Sequence, residues 1–321
     1  DPTDDASDTA NPSDSLDPDP QPGHRGSLYR TTYPMGRGNL NNTKAVVNAG
    51  LPRGVTADQI GIELFEMPFP TSLITGDEDE IFVWGGASLI IENMLNEIDG
   101  QPAGSNDVSP HLTKVTISTA EQTTIALDRG IGWAYLGGAI LHANGFVYAV
   151  SQAHLYKIDP KAMEIVASID LPMANMTTIY NGIVVSRTGE LILKSIGRDM
   201  VDLRLLLIDP DTLEIVLDKD CDCGSARLSL AVNEAGEEHI YHINRQEVFR
   251  YLVEPGALTL DENWIAAYDP YGTGGENEEP TSPLIVGGKA HFTTNTNPKD
   301  VTEPMRVFWN DIDKPYTRDM S

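Results

Sequence analysis

The sequence predicts an all-β fold, a β-propeller of four-stranded blades, and two observations carry the prediction. The first is a repeated phrase. Leu155-Tyr-Lys-Ile-Asp159-Pro-Lys-Ala-Met-Glu-Ile-Val166 returns as Leu205-Leu-Leu-Ile-Asp209-Pro-Asp-Thr-Leu-Glu-Ile-Val216, a step of 50 residues from Asp159 to Asp209. A β-hairpin recurring at that period marks a propeller blade, because each blade buries its faces only against its neighbours. The second is the run of short β-rich segments parted by Gly, Pro, Asn and Asp. Helical periodicity is confined to Glu92-Asn-Met-Leu-Asn-Glu-Ile.

Within the repeat, a tight turn is expected at Asp159-Pro160-Lys161-Ala162, where Pro presets φ for the second turn position. Five outer hairpins align with it. They are Leu112–Ser118 with Thr124–Asp128, the Leu155 and Leu205 copies, Val248–Pro255 with Trp264–Tyr268, and Met305–Asp313. Inner pairs precede them, as in Gly138–Val150 and Ser282–Phe292, each with an Asn-Gly or Gly-Gly turn. Ser72–Thr75, Glu80–Gly86 and Ser88–Glu92 read as three further short strands, and Ile60–Met67 as another.

The predicted division is a disordered acidic, Pro-rich leader over 1–26, an entry or closing segment over 27–70, and blades from about 71 to 321. The leader is nearly all Asp, Pro, Ser, Thr and Gly, so it cannot bury enough apolar surface to offset its ordering entropy. Five hairpins are fewer than the six to eight blades common in such rings. Four closures are therefore open: strands from 28–70, a longer polypeptide, a partner chain or segment that completes the ring, or a distorted five-bladed closure.

The 321 residues carry 48 acidic and 22 basic side chains, a formal charge of −26, and 40% are apolar. A field of that sign repels nucleic acid and anionic lipid, so neither is an expected partner. No apolar run is long enough for a membrane span. The chain opens on Asp1, read as a processed end, and the acidic leader points to a secreted, periplasmic or cell-surface location.

Tyr33-Pro-Met-Gly-Arg-Gly-Asn-Leu-Asn-Asn-Thr43 resembles the entry segment of quinoprotein-like propellers, the PQQ-dehydrogenase-like and BamB-like superfamily. The blades are similar to that superfamily too, with their Val-Tyr strands and Leu-Tyr-x-Ile-Asp-Pro hairpins. The resemblance covers most of 30–321 and implies the fold more than a function. In the dehydrogenases of that superfamily two adjacent cysteines form a vicinal disulfide beneath the cofactor, and a Trp closes each blade. Here Cys221 and Cys223 are separated by Asp222, and Ile165-Val-Ala-Ser and Ile215-Val-Leu-Asp stand without that Trp. Pyrroloquinoline quinone is thus the lesser expectation, and many members bind no cofactor.

Three clusters hold candidate chemistry. Asp218, Asp220 and Asp222 alternate ahead of Gly224 and resemble a calcium loop, although Gly comes one place late and Ser229 stands where a bidentate Glu belongs. Cys221 and Cys223 have three readings: a local disulfide, a share in a metal site, or two reduced thiols in a turn. His142, His154 and His291 sit in or beside expected inner strands. Together with Arg198, Arg227 or Arg245 they could bind an anion or act as acid and base at the channel mouth. His239 and His242 project from opposite faces of a strand and so do not share a ligand. Trp84, Trp133, Trp264 and Trp309 are expected in blade packing. The expected function is a binding or scaffolding propeller for a partner protein or glycan. The alternative is a channel-mouth enzyme, either a PQQ-type dehydrogenase or a sugar-acid lyase or lactonase using His and a divalent cation.

Overall fold

The computed structural model describes residues 56, 70–77, 79–86, 109–128, 137–173, 178–197, 201–224, 226–244, 247–267, 282–293 and 307–314. These residues form nineteen strands and no helix, arranged as five antiparallel sheets that follow one another along the chain. Blade 1 holds β1 (Pro70–Thr75), β2 (Glu80–Gly85), β3 (His111–Thr116) and β4 (Glu121–Ala126). Blade 2 holds β5 (Gly138–Leu141), β6 (Val147–Ser151), β7 (His154–Asp159) and β8 (Glu164–Asp170). Blade 3 holds β9 (Ile179–Val185), β10 (Leu191–Ile196), β11 (Arg204–Ile208) and β12 (Ile215–Asp220). Blade 4 holds β13 (Ser229–Val232), β14 (Glu238–Ile243), β15 (Glu247–Glu254) and β16 (Ala257–Ala267). Blade 5 holds three described strands, β17 (Leu284–Val286), β18 (Lys289–Thr293) and β19 (Val307–Asp311). The fold is a β-propeller of about five blades. The expected strands at 60–67 and 88–92, the helix candidate at 92–98, the leader and the entry segment lie outside the described residues.

The first strand of each blade is the innermost. β1 lies against β5, β5 against β9, and β13 against β17. β5, β9 and β13 are buried along their whole length, whereas β4, β8 and β12 hold only exposed and half-buried residues. Sequence follows that gradient. Middle strands such as Leu191-Ile-Leu-Lys-Ser-Ile196 are packed on both faces and read as near-continuous apolar runs, while outer strands alternate. Three apolar cores fill the seams. Trp84, Leu112, Val147 and Ile158 close blade 1 on blade 2. Tyr148, Tyr180, Leu205 and Tyr251 run through blades 2, 3 and 4, and Trp264, Tyr241 and Phe292 join blade 4 to blade 5. Each such side chain contributes roughly 1.5–3 kcal/mol on burial.

The repeated hairpin has four loop residues, two more than the tight turn expected. Asp159 pairs with Glu164 across residues 160–163. The Asp159 carboxylate accepts the backbone N–H of Lys161 at 2.7 Å and of Ala162 at 3.1 Å, and Asp209 holds Asp211 and Thr212 the same way. These bonds set both carboxyls below the ordinary aspartate range. The loop closes through a left-handed residue, Ala120, Met163 or Leu213, with φ of 58°, 52° and 61° in blades 1, 2 and 3. Met163 and Leu213 accept that conformation while burying their side chains in the seam. Blade 4 differs: Glu254 pairs with Ala257 across Pro255-Gly256, so β16 starts at Ala257 rather than near Trp264.

At three of the four seams between described blades a cation grips the next blade's hairpin. Lys114 Nζ donates to the Pro160 carbonyl at 3.3 Å, and Lys157 Nζ to the Pro210 and Asp211 carbonyls at 3.0 and 3.2 Å. Arg250 does the same to the Ile312 carbonyl. Lys114 and Lys157 each stand two residues before the pair that closes their own hairpin, so the grip repeats in register.

Candidate functional site

The two ends of the propeller are built differently. At one end every connection between described strands is a short turn, no longer than the six residues 209–214. Those turns are laced across seams: Asn144 to Asp211 (3.2 Å), Arg187 N–H to the Glu238 carboxylate (2.9 and 3.0 Å), Gly256 N–H to Glu190 (2.9 Å), and Glu234 N–H to Asp313 (2.8 Å). The other end gathers the long connections, residues 86–110, 127–137, 268–283 and 294–306, together with the linkers 171–178, 197–203 and 221–228. Long loops on a rigid scaffold are where binding residues concentrate. That end is the candidate site.

Its best-defined part is the linker from β12 to β13. Cys221 and Cys223 form a disulfide with Cα atoms 5.3 Å apart. Around it, Cys221 N–H donates to the Leu203 carbonyl at 2.9 Å and Gly224 N–H to the Ile243 carbonyl at 2.6 Å. Asn244 Nδ2 donates to Asp222 at 2.6 Å. Lys194, completely buried in β10, donates from Nζ to the Gly224 carbonyl at 2.5 Å. A side chain at position 224 would put Cβ 2.6 Å from the Ile243 oxygen, so only glycine allows this approach. Behind Lys194 lies His242, fully buried and stacked on Phe249 at 5.0 Å, with neither ring nitrogen hydrogen-bonded. Burial first and the Lys194 charge second hold His242 neutral, with its pKa pushed down to about 3.

The predicted residues that are described are not brought together. His142 follows the innermost strand β5, at the short-turn end. It sits in the short turn after β5, donating from Nε2 to the Gly189 carbonyl (3.0 Å) and accepting at Nδ1 from Asn144 N–H (3.1 Å), and burial lowers its pKa. His154 starts the third strand of blade 2, at the opposite end from His142, and pairs with Asp170 at 2.8 Å. His291 lies in the second strand of blade 5, across from Trp309. β7 is the third strand of its blade and β18 the second, within the inner pair expected at 282–292. Arg227 leads into β13, with its N–H on Ser282 Oγ at 2.8 Å and its guanidinium near Gly138. Arg198, Arg245 and Trp133 lie outside the described residues.

The three aspartates do not wrap a common point. Strand β12 runs on through Asp220, so Asp218 and Asp220 share one face and both engage Arg204, at 2.6 Å for Asp218. Asp222 faces Asn244 instead. Among the described residues no group of three or more His, Cys, Asp or Glu could hold a metal. Pyrroloquinoline quinone would need an aromatic plane to stack on at the channel. Tyr180 is the one aromatic among the described inner strands β5, β9, β13 and β17; it is fully buried in the seam and bonded to the Pro172 carbonyl. Trp84 and Trp264 are core residues as expected, but Trp309 is 54% exposed, with Lys289 Nζ 3.7 Å over its ring.

Sequence reasoning passed over Lys194 and Glu238. The signal for the first was a lysine within Leu191-Ile-Leu-Lys-Ser-Ile196, where both faces of the strand are packed. Glu238 is 4% exposed, and desolvation raises its pKa to about 7 against the N–H of Arg187. His239 is pushed down to about 4, chiefly by burial and then by Arg250.

No family model matches the chain, and no curated protein matches it. Solved structures do. A luciferin-regenerating enzyme matches at 11% identity over 77% of this chain and 73% of its own, with a TM-score of 0.45. The WD40 domain of SCAP from fission yeast matches at 10% identity over 78% and 55%, with a TM-score of 0.44. Regucalcin, a calcium-binding protein from Agrobacterium tumefaciens, matches at 11% over 71% and 66%, with a TM-score of 0.38. The blade architecture itself rests on the five sheets and their seams.

Proposed function

We propose that this propeller is a binding module acting outside the cytoplasm, holding a partner protein or glycan at the end that carries its long connections. The observation behind this reading is the asymmetry of the two ends: one laced shut by short turns, the other carrying connections as long as 86–110. An acidic surface, with the chain at −26, favours a partner that presents basic groups. Met173 and Val201, 39% and 50% exposed, supply apolar contact at the same end. The location rests on the Cys221–Cys223 disulfide and the acidic leader, since disulfides persist in oxidising compartments.

The test places a photo-crosslinking residue at Met173 or Val201, and in separate variants at Thr188 or Gly236 on the short-turn end. Each is exposed to the extracytoplasmic fraction of the source cells, and the adduct is identified by mass spectrometry. Adducts from the first pair alone, with binding reproduced by the purified partner, support the reading. Adducts from the second pair alone, or none from either, overturn it.

A further inference from the structure

We propose that Cys221–Cys223 is a redox-active disulfide, a site of thiol–disulfide exchange with an external dithiol, rather than a structural staple. A staple stabilises by closing a loop in the unfolded chain, and the gain shrinks as the loop shortens. This bridge spans a sequence separation of two, the smallest loop that a non-adjacent pair can close. The linker is also held without it. Cys221 N–H on Leu203, Gly224 N–H on Ile243, Asn244 on Asp222 and Lys194 on Gly224 fix both flanks to blades 3 and 4. The bridge can therefore open and close on a backbone that stays in place, which is what a reactive site on a rigid scaffold requires.

The two sulfurs are unequal. Cys223 is 2% exposed and packed in the seam, whereas Cys221 is half-buried at the surface of the long-connection end. An incoming thiolate therefore attacks Cys221 Sγ. The Cys221–Cys223 bond breaks, Cys223 Sγ leaves with the electron pair and takes a proton, and a mixed disulfide forms at Cys221. The Lys194 ammonium, bonded to the carbonyl of the residue next to Cys223, favours that departing thiolate. The second thiol of the dithiol then attacks its own sulfur in the mixed disulfide and releases Cys221. The balance is one disulfide reduced here and one formed on the partner. The chain has two cysteines, so no third thiol diverts the exchange.

The proposal goes beyond the binding function and stands whether or not a macromolecule docks at that end. The full chain is equilibrated in glutathione buffers of graded ratio at pH 7.5, trapped by alkylation and weighed, with circular dichroism on the same samples. Expected is conversion between bridged and dithiol forms with the β-sheet spectrum unchanged, and stoichiometric oxidation of a reduced dithiol peptide by the bridged form. Cys223→Ser should trap glutathione at Cys221 at least tenfold faster than Cys221→Ser traps it at Cys223. Reduction that occurs only together with loss of the β-sheet spectrum would show a structural staple and overturn the proposal. So would a bridge that stays closed across the whole glutathione range. Both readings come from the unaltered chain, so they hold even if a serine variant fails to fold.

Discussion

Replacing Lys157 with Met tests the seam between blades 2 and 3. The stem of Lys157 is buried, and its Nζ makes two bonds to carbonyls of the next blade, at 3.0 Å to Pro210 and 3.2 Å to Asp211. Met keeps the stem packing and deletes the charge. Hydrogen bonds to a charged group are worth about 1.5–3 kcal/mol each, but the two acceptors fare differently. The Pro210 oxygen keeps the Tyr148 hydroxyl at 2.6 Å, whereas the Asp211 carbonyl turns to water on an exposed loop. The 3.8 Å approach to the Asp211 carboxylate is discounted, because that side chain is 79% exposed. The cation over the Phe146 ring at 4.6 Å adds roughly 0.5–1 kcal/mol. The sum is a loss of about 2–3 kcal/mol for Lys157→Met, and about 1 kcal/mol for Tyr148→Phe.

Because both residues donate to one oxygen, each single variant leaves it satisfied and the double variant leaves it bare. The double loss should exceed the sum of the singles by about 1 kcal/mol. Urea unfolding followed by tryptophan fluorescence and far-ultraviolet circular dichroism reads all three, with exposed Lys161→Met as a control that should move by less than about 0.5 kcal/mol. Strict additivity, or a Lys157→Met loss no larger than the control's, would refute the idea that the cation couples the blades.

Three further outcomes follow from the packing. Stability should fall as pH rises from about 4.5 to about 7 on account of Glu238, whose folded pKa lies near 7; His239 and His242, folded near 4 and 3, act oppositely and lose stability as pH falls below 6.5. Two histidines outweigh one carboxyl, so urea midpoints should drop on acidification between pH 6.5 and 4.5, and Glu238→Gln should steepen that drop; a shallower slope in the variant would contradict the assignment. Gly137→Ala places Cβ 1.8 Å from the Val150 carbonyl oxygen, and it should cost at least about 3 kcal/mol or abolish soluble expression. Trp264→Phe removes the 3.0 Å bond from Nε1 to the Asp311 carbonyl and part of the fully buried ring, so thermal unfolding should report a loss of about 2–3 kcal/mol.

The blades were legible because their grammar is local. A hairpin is specified by its own turn and its own alternation, so Ile-Asp-Pro at Asp159 and Asp209 located β7–β8 and β11–β12 unaided. What brings side chains from different blades together was not legible. Leu155–Leu171 reads as an outer hairpin, and β7 and β8 are the outer pair of blade 2, but alternation within a strand does not say which histidines of separate blades would meet. The aspartates 218, 220 and 222 illustrate a related ambiguity. Spacing of two is the step of a metal loop and equally of one strand face, and the deciding partner, Arg204, lies on the neighbouring strand opposite Asp220. The repeat itself hid the left-handed Met163 and Leu213, since neither is a residue that normally signals positive φ.

One seam departs from the repeat, and its departures are coupled. At the position two residues before the hairpin, where blades 1 and 2 carry Lys114 and Lys157, blade 3 carries Leu207. Blade 4 correspondingly lacks an Asp-Pro loop to grip, having the two-residue turn at Pro255-Gly256. At this joint a carboxylate of blade 3, Glu190, accepts the N–H of Gly256, and Lys219 reaches past the turn to the Leu258 carbonyl at 3.0 Å. With the cation absent from its usual place, blade 3 keeps a different one, Lys194, inside the same seam, where it holds the linker at Gly224. A fully buried ammonium tolerates few alternative geometries, so that linker is fixed in position by charge rather than by its bridge. The seam that breaks the repeat is thus the one able to carry a reactive disulfide at the long-connection end without depending on it to stay closed.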